Sequence, residues 1–426
     1  MPSRVKRGLT VVLLVLAFVA GALAQARWVN VDSTTHDQLA YLAQARMLAE
    51  THQEAPTNRI EMPAFPTVLS LFYEQGLDDD AWFWRAKLVA IGVALLCAVA
   101  MALTLRRVLR AESAQLATIA IVFFVFMFRA AYVQTEPLYY LLSFWALLAI
   151  DRLWRAPTFP RALLAGALLG AAWLAKASIL VAAIVTLPLF LARSAIDCAR
   201  KRLLVQLVSR VLIAASAVLG FGLVIAPYAR RTHELQGRWL YNLAPAYVMW
   251  CDSWEDFIDH MRRLGPVEGW SKLADQTAVP TMTSYLASHS IGQIAWRTIA
   301  GAALVLGNLI VSPFGPVVVA MVVVVAMLGR QKVLGRMPWR EPTSGVWFVL
   351  YFGAHAILQG FYAPIGAGAR FSLALAIPAF VFLLRALDRH ASESTWPRTR
   401  VILMRATWTL LFIAAPVAAF TLYCGG

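Results

Sequence analysis

The chain has 426 residues, of which 60% are hydrophobic and only 14% charged. Its apolar residues run in blocks of about 15 to 20, the length a helix needs to cross hydrocarbon. A soluble protein of this size would interrupt such blocks with polar faces, so a soluble globular class is excluded. The formal charge of +15 would suit a nucleic-acid partner, and its distribution decides against that.

Spans are predicted at roughly 9–26, 84–105, 113–128, 136–151, 162–175, 177–192, 211–227, 313–328, 346–359, 371–386 and 406–423. The fold class expected is all-α, a polytopic integral membrane protein with about eleven transmembrane helices. With the N-terminus cytoplasmic, 23 of the 38 Lys and Arg fall on the cytoplasmic side with 6 acids, leaving 15 basic and 17 acidic residues outside. That split, +17 against −2, is the positive-inside pattern. The basic excess orients helices, and no nucleic acid is expected as a partner.

Arg4, Lys6 and Arg7 precede the first apolar run, which ends Gly21-Ala22-Leu23-Ala24-Gln25. This fits a cleavable secretory signal, but the run is long enough to span and is read as a retained helix. No linker, low-complexity tract or repeat follows. One membrane-embedded domain, 1–426, without a soluble C-terminal domain is therefore expected. Two outer segments, 27–83 and 228–297, are too long to be mere connectors, whereas 106–112, 151–161 and 329–345 are short and basic. Function concentrates in long loops on a rigid scaffold, so chemistry is expected outside, with 27–83 catalytic and 228–297 on the substrate and acceptor side.

In the first outer segment, Thr35 and Gln38 fit a capping box. A helix from there to about Ala49 would place Asp37 and Tyr41 on one face at i and i+4. Pro56, Pro63 and Pro66 then break the chain, and a short helix beginning near Pro66 should end before Gly76. Asp78, Asp79 and Asp80 can cap the next span, with Trp82 and Trp84 in an aromatic belt. In the second outer segment, Trp254, Phe257, Ile258, Met261 and Leu264 form an amphipathic stripe that Ser253 can cap and Gly265-Pro266 ends. Such a helix should lie on the membrane surface or pack on the first outer segment. Residues 291–311 are expected to begin as an interfacial helix before Pro313 and Pro316 restart the chain as a span. Trp239, Tyr241, Tyr247, Trp250 and Trp254 read as interface anchors or groove lining.

Cys97, Cys198, Cys251 and Cys424 lie apart and form neither a disulfide framework nor a metal site by spacing. His36, His52, His233, His260 and His289 lie outside without a spacing such as His-x-x-x-His. No metal ligand is assigned, and no cofactor is required by any motif; a divalent metal stays open, with no motif supporting it.

Asp37 is the first candidate for chemistry. An Asp in a first helical turn is ordinarily a dipole partner. This one lies about ten residues past the first span, beside Asp32, Gln38 and Tyr41, where a carboxylate could serve as general base for an acceptor hydroxyl.

The order first span, Asp37-Gln38-x-x-Tyr41, Arg46-Met47, then Glu61-Met62-Pro63-x-x-Pro66 resembles the family-39 branch of the glycosyltransferase-C superfamily. Gln134-Thr135-Glu136-Pro137, Gly170 to Lys176, Ala226-Pro227-Tyr228-Ala229-Arg230-Arg231 and Arg370-Phe371 extend the resemblance in order along the chain. That branch includes protein O-mannosyltransferases and the lipid A aminoarabinose transferase. The resemblance implies Asp37 as the catalytic carboxylate, with Asp32, Glu61 and Glu136 as candidate second carboxylates. It departs where Gln38 replaces the usual acid and where Glu61-Met62-Pro63-Ala64 lacks the usual Lys, leaving Arg59 as the nearest cation.

The reaction so implied is inverting transfer of a hexosyl or pentosyl group from a polyprenyl-phosphate donor to a lipid, glycan or protein acceptor. It would occur on the extracytoplasmic face of an inner membrane, in envelope glycan synthesis or lipopolysaccharide modification. The leaving phosphate needs cations at the outer ends of spans. Arg59, Arg129, Lys176, Arg230, Arg231 and Arg370 stand there. They can also snorkel to lipid head groups, and a guanidinium fork suits phosphate better than an ammonium. The rival class is a transporter or lipid-linked glycan flippase. Charges at mid-membrane depth and paired broken helices would favour that class, whereas here most charges lie at interfaces.

Overall fold

The computed structural model describes residues 2–51, 61–201, 204–240, 242–273, 275–330, 344–366 and 368–393, and no β-strand occurs among them. The expected span 406–423, Cys424 and Arg59 lie outside the described residues. In chain order the helices are α1 (Pro2–Trp28), α2 (Gln38–Glu50), α3 (Ala64–Ser70), α4 (Asp79–Val108), α5 (Ala111–Ile121), α6 (Met127–Ala130), α7 (Glu136–Arg155), α8 (Phe159–Ala175) and α9 (Leu180–Lys201). They continue as α10 (Leu204–Gln236), α11 (Leu243–Ala246), α12 (Trp254–Leu264), α13 (Met282–Ser288), α14 (Ile291–Val311), α15 (Gly315–Arg330), α16 (Ser344–Tyr362) and α17 (Ala369–Glu393).

Eight helical stretches among the described residues are long and apolar enough to cross a membrane. They lie in α1, α4, α5–α6, α9, α10, α14, α16 and α17, and α8 and α15 are shorter apolar helices. The protein is a multi-pass, all-helical membrane protein. The α5–α6 crossing passes through a π-helical turn, Val122–Phe126, a widening of the backbone often found beside functional sites. Between its charged ends, α7 is buried on nearly every face, with α4, α8 and α17 packed around it. Buried Tyr139, Tyr140, Phe144 and Leu147 put it at the centre of the main apolar cluster.

Small residues allow the closest crossings. A Cβ on Gly166 of α8 would lie 1.8 Å from the Ala217 carbonyl oxygen of α10, and one on Gly301 of α14 would lie 1.9 Å from that of Gly360 in α16. In lipid, where apolar surface alone does not drive helices together, such backbone approach supplies the van der Waals contact that holds them.

Residues 291–311 form one continuous helix, α14, long and apolar enough by itself to cross, and the chain breaks after it where Pro313 stands. Val305 clusters with Phe371, Phe314 packs on Phe380, and Val324 clusters with Leu383 and Ala386. These contacts advance in one direction along α17, and the chain breaks between α14 and α15 at Ser312-Pro313-Phe314. Pro313 lacks the amide that would continue α14.

Caps follow local chemistry closely. Asp78 accepts a hydrogen bond from the Ala81 amide, Ser253 accepts from that of Asp256, and Gly265 ends α12 with φ of +80°. Other expectations yield to packing. Trp82 is no belt residue; it is buried in a cluster with Tyr41, Phe65 and Leu69. The stripe of α12 turns inward within its own loop. Phe257, Ile258 and Met261 close a separate small core with Tyr247, Trp270 and Ile365.

Candidate functional site

The segment between α1 and α2 is held by amides and one buried ammonium. Lys87 of α4 donates to the carbonyls of Ala26 (2.8 Å) and Asn30 (3.0 Å), which lie at and just past the last turn of α1. Asn30 and Gln38 exchange a reciprocal pair of side-chain hydrogen bonds, each 2.8 Å. The Gln38 carbonyl oxygen also accepts from the Val133 amide at 2.9 Å, while its NH2 reaches the Asp32 carbonyl at 3.2 Å. Gln38 is therefore a fully buried brace between two loops, not a helix-face partner.

This brace changes the expected start of α2. Thr35 does not cap it, and the residue at the cap position is Asp37, with no capping bond from its side chain. His36 and Asp37 adopt φ of +58° and +68°, a left-handed conformation uncommon for non-glycine residues and often found where strain serves a site. Tyr41 consequently does not share a helix face with Asp37. It is buried edge-on against Phe65, 5.9 Å between ring centroids. Burial above all, then the charges of Glu136 and Glu61, pushes its hydroxyl well above the ordinary value, so it stays protonated.

Freed from capping, the Asp37 carboxylate meets Arg370, the second residue of α17, at 2.6 Å. Arg370 also donates to the His36 carbonyl at 3.4 Å, and its Nε lies 3.9 Å from Glu136 Oε1. Lys176, just after α8, binds the same Glu136 oxygen at 2.9 Å and lies 3.7 Å from the centroid of the Phe371 ring. The Tyr140 hydroxyl donates to the Arg370 carbonyl at 2.6 Å. Arg129, at the end of α6, stacks over Tyr132, whose ring meets His36 edge-on at 5.2 Å. The Gln134 amide donates to the His36 carbonyl. Two acceptors here, Glu136 Oε2 and Gln134 Oε1, are buried without a hydrogen-bond partner in the protein.

Exposure grades the cluster. The Glu136 side chain is 2% exposed, Arg370 15%, Lys176 16% and Asp37 47%. A buried carboxylate thus anchors two cations that present themselves to an open one. His36 is held below its ordinary value by burial first, then by Arg129 and Arg370, and so stays neutral near pH 7. Three cations then face two carboxylates, leaving one net positive charge.

Of the cations singled out from sequence, Arg129, Lys176 and Arg370 converge. Arg230 and Arg231 instead pair with Glu234 on α10, at 2.8 and 3.6 Å. Among the carboxylates Glu136 joins the cluster, and Glu61 lies within electrostatic reach of Tyr41. Asp32 is turned to Thr34, accepting from its amide and hydroxyl at 2.8 Å each; these bonds lower its pKa.

No family model matches the chain, and no curated protein matches it. Among solved structures it is similar to an archaeal oligosaccharyltransferase from Archaeoglobus fulgidus, solved in complex with an inhibitory peptide and a dolichol-phosphate. The match has 14% sequence identity and a TM-score of 0.48, covering 95% of this chain and 55% of that one. The chain thus spans about half the length of the structure it matches.

Sequence reasoning passed over Asn30, Lys87, Tyr132 and Tyr140. Lys87 carried a signal, a lone ammonium among apolar residues near the start of a span. Chemically, the cluster combines an accessible carboxylate with cations fixed beside it. That combination can accept a proton and hold an anionic ligand at one place.

Proposed function

We propose that the protein is a membrane glycosyltransferase that moves a sugar from a polyprenyl-phosphate carrier to a hydroxyl acceptor on the side bearing its two long loops. We place that side outside the cytoplasm, on the charge split of the loops. The single observation that carries the reading is the Asp37–Arg370 pair, set on a left-handed backbone above buried Glu136 and Lys176.

The chemistry follows from these groups. A polyprenyl-phosphoryl sugar is a phosphodiester with one negative charge, matching the single positive charge of the cluster. Its phosphate competes with Asp37 for Arg370 and releases the carboxylate. Asp37 takes the proton of the acceptor hydroxyl as that oxygen bonds to the anomeric carbon. The bond from that carbon to the phosphate oxygen breaks, its electrons leave on the polyprenyl phosphate, and the configuration inverts. Charge grows on the departing phosphate, where a fixed guanidinium and ammonium stabilise the transition state more than the ground state. In this reading the segment 27–83 is catalytic and 228–297 covers the acceptor side.

The test is a donor-dependent transfer assay with purified protein and synthetic polyprenyl-phosphate sugars. Asp37→Asn should fold and insert normally while transfer falls by about 10² to 10⁴; Asp32→Asn should leave transfer nearly unchanged. Near-normal turnover in a well-folded Asp37→Asn protein would sink the assignment. Loss confined to Asp32→Asn would move the base five residues upstream.

A further inference from the structure

The small core of the second loop holds a group of side chains that the reaction above does not use. Cys251 follows the short 3-10 turn Val248–Trp250 and is fully buried. Asp256 and His260 lie one turn apart on α12, at i and i+4 on one face. The Cys251 sulfur, a carboxylate oxygen of Asp256 and a ring nitrogen of His260 all lie within 4.8 Å of one another.

The surroundings suit a cation. The Cys251 thiol makes only a long hydrogen bond, donating to the Tyr247 carbonyl at 4.0 Å. His260 Nδ1 lies 3.2 Å from Asp256 Oδ1 and 2.9 Å from the Asp256 carbonyl oxygen, and the Asp252 amide donates to Asp256 Oδ2 at 2.9 Å. That last bond orients the carboxylate from outside, as groups behind metal ligands commonly do. Spacing among cysteines and histidines alone cannot find this group, because its third donor is a carboxylate and Cys251 lies outside the helix.

We propose that Cys251, Asp256 and His260 bind a zinc ion. Sulfur, imidazole and carboxylate together are a borderline-soft donor set, which suits zinc and not magnesium or calcium, whose ligands are all oxygen. Zinc bond lengths of about 2.0 to 2.3 Å place tetrahedral ligand atoms roughly 3.2 to 3.8 Å apart. Contraction of the group by about 1 Å therefore completes three positions, with water in the fourth. Binding releases the Cys251 thiol proton, and the imidazole enters neutral. The product, Zn²⁺ with one thiolate and one carboxylate, has no net charge, which suits a partly buried site.

The ion would staple α12 to the turn before it. That turn is already tied to α14, since Arg297 donates to the Cys251 carbonyl at 2.8 Å. The same core includes Ile365, five residues before Arg370, so the staple would steady the loop packed beside the candidate site.

The experiment uses tag-free full-length protein, stripped with chelator and reloaded with Zn²⁺ or Co²⁺. Elemental analysis should find one zinc per chain, and cobalt should give the thiolate charge-transfer band and intense visible absorption of a tetrahedral site. Folded His260→Gln and Asp256→Asn proteins should bind about 10²-fold more weakly or worse. Cys251→Ala should lose the thiolate band, while Cys97→Ala and Cys198→Ala should keep it. Failure of the wild-type protein to take up zinc would overturn the proposal, and so would uptake unchanged in the His260→Gln protein. Neither result bears on sugar transfer.

Discussion

Two helices carry an ionic cluster at each end, and the two clusters are built to opposite rules. At one end α7 begins with Glu136 and α17 carries Arg370 in its first turn; near the other end the same helices carry Asp151, Arg385 and Asp388. There, Asp151 Oδ1 binds Arg155 and Oδ2 binds Arg385, at 3.0 Å each. Asp388 Oδ1 accepts from the Ser113 hydroxyl at 2.7 Å, and Oδ2 accepts from the Arg110 amide at 2.9 Å. Every carboxylate oxygen has a partner. At the loop end two polar oxygens have none, the open carboxylate sits on strained backbone, and three cations crowd two acids. Satisfied polar groups rigidify a structure, whereas unsatisfied ones store free energy that a ligand can recover. The far end is thus built as a fastener, and the loop end, under the proposed function, is where a ligand would bind.

Substitutions should separate the two ends, with Asp37→Asn giving the largest effect. Next, Arg370→Ala should lower turnover by about 10² or more while shifting thermal stability little, and Arg370→Lys should restore part of the loss. Asp388→Ala should do the reverse. Loss of two bonds at the start of α5 should cost about 1 to 3 kcal/mol, read as a lowered thermal midpoint in detergent, with transfer per folded molecule unchanged. A turnover defect in folded Asp388→Ala protein would erase the distinction between the ends.

Gln38→Glu probes the strained turn itself. A carboxylate can still accept from Val133 but cannot donate to Asn30 and Asp32, so the loop should lose about 1 to 2 kcal/mol. Turnover should fall with it, because Asp37 is no longer held in place; a Gln38→Glu protein with normal turnover would show that the brace does not position the carboxylate.

The smallest effect concerns pH. His36 is held below its ordinary value of 6.5 in the folded protein, so below that pH the unfolded chain binds more protons than the folded one. This contribution to stability is whole above pH 6.5 and is lost as pH falls through the folded value. The thermal midpoint should therefore decline from pH 7.5 to 5.5, and His36→Asn, which tolerates positive φ, should flatten part of that decline. An unaltered slope in His36→Asn would mean that His36 is not kept neutral.

The sequence by itself determined the class of fold, where most of the long apolar helices lie and the caps at Asp78, Ser253 and Gly265. These depend on hydropathy over about 20 residues or on bonds to amides a few residues away. It also singled out, one by one, Asp37 in the first outer segment and Glu136, Lys176 and Arg370 at the ends of spans. Only the tertiary structure decided which of them meet. Asp37 and Arg370 are 333 residues apart, and Ser113 and Asp388 are 275 apart. No local periodicity encodes such pairs; they form because charges withdrawn from water must find partners wherever the helices bring them. The same constraint overrode the expected cap at Thr35, since bonds from Asn30 and Val133 to Gln38 fix the turn and send the Asp37 carboxylate to Arg370. It also divided the cations, because Glu234 claims Arg230 and Arg231 along one helix while buried Glu136 gathers Lys176 and Arg370 across three.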